Sequence, residues 1–141
     1  MSRRDQGLAV QAAQFVNGIE PYTAEVRTRL RGLPYLLHRS GLAATLAYIS
    51  SKSGAGEGLP GAYSKVEALL KERIKHSEVR GASSFDSLRD PDSVAWLQKL
   101  SPAEYARLTE AVADIVLWVK RLSEARHAAE KPGGGPRVTD G

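Results

Sequence analysis

The chain of 141 residues contains no cysteine at all. That absence excludes a disulfide scaffold, a thiol nucleophile, cysteine-ligated zinc and iron–sulfur clusters together. Aromatic residues make up only 6% of the chain. No stretch approaches the roughly 18 consecutive apolar residues of a membrane span. The opening Met1-Ser2-Arg3-Arg4 resembles a basic signal region, but Gln11 and Gln14 interrupt the apolar run after it, so an export signal is not expected. What is present is an ordinary globular mixture, 42% hydrophobic and 26% charged, long enough to bury a core of its own. The expected setting is the cytoplasm.

Acid is missing from one long segment. Between Glu25 and Glu57 there is no Asp or Glu, while Arg27, Arg29, Arg31, Arg39 and Lys52 supply positive charge. Residues 1–53 carry seven basic and three acidic side chains, and residues 54–141 carry thirteen of each, so the whole net charge of +4 resides in the first part. Such a one-signed stretch suits a polyanion and predicts affinity that falls as salt rises. The alternative is a solvated basic face whose acidic partners come from elsewhere in the fold.

The pattern along the chain is helical throughout, with no convincing strand. Residues 6–17 are rich in Ala and Gln, and Pro21 ends that segment. A short helix over 22–31 follows, with Arg27 and Arg31 on one face. After Pro34, the residues Tyr35, Leu42, Leu46 and Ile49 suggest one apolar stripe running to Lys52, with Gly41 as a kink or close contact inside it. Residues 53–62 form a Gly-rich internal loop; its glycine run has neither a preceding strand nor a following Gly-Lys-Ser/Thr, so it is not a phosphate loop. Tyr63, Val66, Leu70 and Ile74 mark a third apolar helix ended by Gly81 and Ser83-Ser84, with Ser64 and Glu67 as a capping box if it begins late. A short helix between Pro91 and Leu100 packs through Val94 and Leu97.

The final helix has the best-defined start. Ser101-Pro102-Ala103-Glu104 is a capping box with proline at the first helical position. Tyr105, Leu108, Val112, Ile115, Val119 and Leu122 then alternate steps of three and four, the spine of a bundle. The expected architecture is all-α, a compact bundle of about five to six helices with a long C-terminal helix. It forms one domain over residues 1–130, followed by a disordered tail at 131–141.

Chemistry is scarce. His38, His76 and His127 lie at no metal-binding helical spacing from one another, and no nucleophile elbow is present. Asp90 and Asp92 flank Pro91 and read as helix-capping residues rather than an acid–base pair. No catalytic residue, metal site or cofactor is implied, which points to a binding or assembly module.

Two blocks carry a resemblance. Leu33-Pro34-Tyr35-Leu36-Leu37-His38-Arg39-Ser40-Gly41-Leu42 through Leu46-Ala47-Tyr48-Ile49-Ser50-Ser51-Lys52 resembles a segment of the small subunit of type III-B CRISPR effector (Cmr) complexes, the fifth Cmr protein family. Tyr105-Ala106-Arg107-Leu108-Thr109-Glu110-Ala111 through Leu117-Trp118-Val119-Lys120-Arg121-Leu122 is similar to that family's closing helix. The resemblance implies an all-α, non-enzymatic subunit, stacked in several copies along the crRNA-bearing filament. Its neighbours would be the backbone-filament and large polymerase-like subunits, and the crRNA–target RNA duplex would be held by backbone contacts in antiviral defence. Arg31, Lys52, Lys120 and Arg121 fall where the family pattern is basic, and Arg39 joins them on charge alone. Tyr48, Trp96 and Trp118 are candidate interface anchors if exposed, with core packing favoured for Trp118. The alternative is a small helical DNA-binding regulator, whose turn would lie between Arg27 and Pro34.

Overall fold

Proline and glycine set most of the helix boundaries. The computed structural model describes residues 3–56 and 58–130. Its helices are α1 (Arg3–Asn17), α2 (Ala24–Arg31), α3 (Leu33–Ser40), α4 (Leu42–Lys52), α5 (Leu59–Lys75), α6 (Pro91–Gln98) and α7 (Pro102–Glu130), with a 3₁₀ turn at Ala82–Ser84. There is no strand among the described residues. The all-α expectation holds, long final helix included; the tail expected at 131–141 lies outside the described residues.

Three boundaries differ from the sequence reading. Gly41 does not kink a helix but separates two. Its φ of 86° is left-handed, and its N–H caps α3 by donating to the Leu37 carbonyl. This split gives seven helices in place of five or six. It also resets the helical phase, so Leu42, Leu46 and Ile49 are buried whereas Tyr35 stands 66% exposed instead of joining their stripe.

The Gly-rich loop is shorter than 53–62, because α5 begins at Leu59 with Pro60 in its first turn. Proline is tolerated there because the first helical N–H groups have no intrahelical partner. Ser64 therefore lies inside the helix and does not cap it; its hydroxyl donates to the Gly54 carbonyl and accepts from the Gly54 N–H. The same helix ends at Lys75 rather than near Gly81, and the chain then turns through left-handed Glu78 and Gly81.

Caps close the other ends as their residue types require. Thr23 accepts from the Val26 N–H, and Asp90 accepts from the N–H groups of Asp92 and Ser93. Ser101 and Glu104 form the reciprocal box, at 2.9 and 3.1 Å.

Helix α7 lies at the centre. Leu108, Val112, Ile115 and Val119 are wholly buried, and Tyr105 and Leu122 extend the seam at half exposure. α1, α2, α3 and α5 all pack on α7, while α4 packs on α3 and α5. No helix among the described residues is long and apolar enough to cross a membrane.

Arg126 ties the start of the chain to the end of α7. Its guanidinium donates to the Val16 and Ile19 carbonyls at 2.7 and 2.8 Å and pairs with Glu20 and Glu130 at 3.0 and 2.8 Å. It also lies 4.1 Å from the centre of the Tyr22 ring, and the Tyr22 hydroxyl donates to the Ser123 carbonyl.

Because Ile115 is fully buried at the centre of the seam, Ile115→Ala is expected to destabilise the fold by about 2–5 kcal/mol and Ile115→Val by about 0.5–1.5 kcal/mol. Urea unfolding followed by circular dichroism checks both values; equal small losses would place the seam outside the core.

Candidate nucleic-acid interface

The apolar positions of the early helices decide where their cations go. In α2, Val26 and Leu30 are buried, which turns Arg29 and Arg31 to solvent and leaves Arg27 half-buried. In α3, burial of Leu33 and Leu37 puts Tyr35, His38 and Arg39 on the outward side. In α4, burial of Leu42, Thr45, Leu46 and Ile49 leaves Lys52 exposed at the last turn. On α7 the seam leaves Lys120 half-buried and Arg121 exposed.

These cations are scarcely neutralised. Arg31 lies 3.3 Å from Glu124, both side chains 45% exposed, and this is the only ion pair of the acid-free segment among the described residues. An exposed pair of this kind contributes about 0–1 kcal/mol, so it is easily exchanged for another anion. Lys120 sits one turn before Glu124 on α7 and has no ion pair of its own among the described residues. Arg121 lies over the Trp118 ring at 5.4 Å, and Lys52 over the Tyr48 ring at 5.5 Å. Arg39 has no ion-pair or ring partner among the described residues and lies on α3, near its end. The five candidates therefore stand as separate cations spread over α2, α3, α4 and α7.

The second half of the chain behaves differently. Lys71 pairs with Asp86 at 2.7 Å, Arg89 with Glu67 at 3.0 Å and Arg80 with Glu104 at 3.4 Å. These three pairs each join a cation of the second half to an acid of a neighbouring element, whereas the segment between Glu25 and Glu57 has one ion pair among the described residues, at Arg31.

Residues 3–126 match the family model described as CRISPR-associated protein (Cas_Cmr5). The chain belongs to this family. It is a Cmr-complex small subunit of a type III-B CRISPR system, and other Cmr subunits are its partners. The match spans both blocks that carry the resemblance, at 33–52 and 105–122. No curated protein and no solved structure matches the chain.

In this Cas_Cmr5 chain the three aromatic residues considered as anchors are all half-buried and engaged internally. The Trp96 indole donates to the Arg80 carbonyl at 2.7 Å and packs against Phe85. The Tyr48 ring meets the Tyr63 ring edge-on at 6.0 Å. Burial first, and the Tyr48 hydroxyl second, push the Tyr63 phenol up to about 12, so it stays protonated. Trp118 packs against the core on one side and carries Arg121 on the other. The sequence reading missed the exposed aromatic, Tyr35, because it ran one helix through Gly41; the glycine itself was the available signal.

A polar cleft of about 370 Å³ lies beside α5 and holds Glu67, Lys71, Asp86, Arg89 and Asp90. Every one of these groups has a partner: Glu67 accepts from the Ser50 hydroxyl and from Arg89, Lys71 holds Asp86, and Asp90 caps α6. Burial raises the Glu67 pKa, but the bonds from Ser50 and Arg89 together outweigh it and hold the carboxyl below its ordinary value of 4.5. A carboxylate so held has no proton to give near neutrality. Among the described residues no group of three or more His, Asp or Glu side chains is placed to hold a metal ion.

A lowered folded-state pKa stabilises the native protein above the unfolded value and loses that contribution as pH falls through the folded one. Glu67 should therefore steepen the loss of stability below its ordinary 4.5. Urea unfolding of Glu67→Gln at about pH 7 and about pH 3.5 is expected to show a clear loss at the higher pH and a smaller one at the lower.

Proposed function

We propose that this chain is a non-catalytic small subunit that stacks in several copies along the crRNA-bearing filament of the Cmr complex and holds target RNA by its backbone, as part of antiviral defence. The cations assigned to the contact are Arg31, Arg39, Lys52, Lys120 and Arg121. The observation that carries this reading is the acid-free segment between Glu25 and Glu57, whose cations have a single ion pair among the described residues, together with Lys120 and Arg121 of α7, which have none.

Physically the task is simple. Pairing with the guide supplies sequence specificity, so the subunit needs only to grip a ribose–phosphate chain of any sequence. Arginine does so through bidentate hydrogen bonds and lysine as a point charge, and release of counterions adds affinity. Arg31 exchanges Glu124 for a phosphate at little cost, because an exposed ion pair contributes little.

The regulator alternative lacks its turn: Gly32 alone joins α2 to α3, where a helix–turn–helix needs three or four residues. α3 also buries two of its eight residues against the bundle and carries proline in its first turn.

Reversing Arg31, Lys52, Lys120 and Arg121 together is expected to weaken target RNA retention by the assembled complex and to flatten its dependence on salt. The loss should be equal across target sequences, because phosphate contacts carry no base information. Filter binding across a salt series measures it, and a sequence-selective loss would contradict a backbone grip.

Stacking makes a separate demand. A net charge of +4 supports few phosphate contacts per copy, and repetition along one strand multiplies them through effective concentration. Native mass spectrometry of the reconstituted complex is expected to find more than one copy per assembly; a single copy removes the stacking mechanism.

A further inference from the structure

We propose that the outward face of α3 is a base-stacking platform for an unpaired nucleotide, with Tyr35 as the stacking ring, His38 beside it, and Arg31 and Arg39 as its cationic surround. This rests on the RNA-contact reading above and goes beyond it, since that reading uses phosphates alone.

Tyr35 is set apart from every other tyrosine. Of the five in the chain, Tyr22 bonds Ser123, Tyr48 and Tyr63 pack ring against ring, and the Tyr105 hydroxyl accepts from the Ala43 N–H. Tyr35 has no hydrogen-bond or ring partner among the described residues. At 66% it is also the most exposed large hydrophobic side chain among them. Its helix does not need it for packing, because Leu33 and Leu37 bury the opposite side.

The surroundings favour nucleic acid. Arg39 lies at i+4 and His38 at i+3 on the same helix, both exposed, and exposed Arg31 closes α2 four residues before Tyr35 in the chain. No acid occurs in sequence between Glu25 and Glu57, and Arg31 bears the only ion pair of the segment among the described residues. A protein-binding patch is depleted of charge at its centre. Here one aromatic ring stands among cations instead, the arrangement of a single-strand site where bases stack and phosphates are gripped beside them.

The platform is also held still. Proline sits in the first turn of α3, Gly41 caps its last, and the Thr45 hydroxyl of α4 donates to the Leu36 carbonyl at 3.4 Å. A ring on a fixed helix pays little ordering cost when a base lands on it. Bases inside a duplex are already stacked on their neighbours, so the ring selects an unpaired base.

The test is a titration of the full chain into single-stranded RNA carrying one 2-aminopurine, with the same strand in duplex as comparison. For the wild type and Tyr35→Phe, binding is expected to change the probe's fluorescence in the single strand and leave it unchanged in the duplex. Tyr35→Leu, checked as folded by circular dichroism, should lose that signal and on the order of tenfold in affinity. If Tyr35→Leu binds and signals like the wild type, or if the duplex signals equally, the platform is overturned while the backbone reading stands. If the wild type binds neither RNA, the platform is overturned, and RNA retention by the assembled complex decides the backbone reading separately. If Tyr35→Leu leaves RNA binding intact but weakens association with the other Cmr subunits, the face is a protein interface and the proposal is overturned.

Discussion

Burial of the α7 seam is the constraint on which the other helices depend. Its four innermost residues, Leu108, Val112, Ile115 and Val119, are fully covered, and Ala111 and Val116 beside them are nearly so. A helix apolar over so wide an arc has to be covered on several sides, and α1, α2, α3 and α5 provide that cover. Each such side chain contributes about 1.5–3 kcal/mol relative to exposure, while an exposed ion pair contributes about 0–1 kcal/mol. The seam, not the surface charge, therefore holds the bundle together. That leaves the cations of the early helices available for another purpose.

The division of charge follows from this arrangement. α5, the segment after it and α7 carry acids and bases in equal supply, and those pairs lie between neighbouring elements, as Lys71 with Asp86 and Arg80 with Glu104 do. α2, α3 and α4 bring arginine, histidine and lysine with almost no acid, and α7 offers them a single carboxylate, Glu124. One side of the molecule is internally balanced and the other is not. An imbalance of this kind is resolved by a partner rather than by the fold.

Much of this was readable from residue types. The Ser101–Glu104 box, Pro102 and the three-and-four spacing after it define α7 because each signal is local and each agrees with the next. Asp90 before Pro91 is legible for the same reason. Gly41 was ambiguous, since a glycine within a helical pattern is compatible with a kink or a full stop, and only its left-handed backbone decides. Tyr35 was misassigned as a direct result. Pro60 looked like a loop residue because proline breaks helices everywhere except in the first turn, where it sits. Of the basic site, the charge was visible but the partner was not: that Arg31 meets Glu124 depends on how α2 crosses α7. Arg126 gave no signal, because the carbonyls it binds lie more than a hundred residues away in sequence.

The loop between α4 and α5 has an evolutionary consequence. It is rich in glycine and lies at the surface, the kind of segment in which insertions and substitutions normally accumulate. Yet a methyl group on Gly61 would lie 1.9 Å from the Gly56 carbonyl oxygen, so even alanine there forces backbone to move. Drift in loop length is thereby separated from drift at the helix entrance: residues can be gained around Gly56 if its carbonyl still finds an unsubstituted Cα opposite it. The least replaceable position of the region thus lies within its most permissive-looking sequence, at the point where a wandering chain must re-enter a rigid helix.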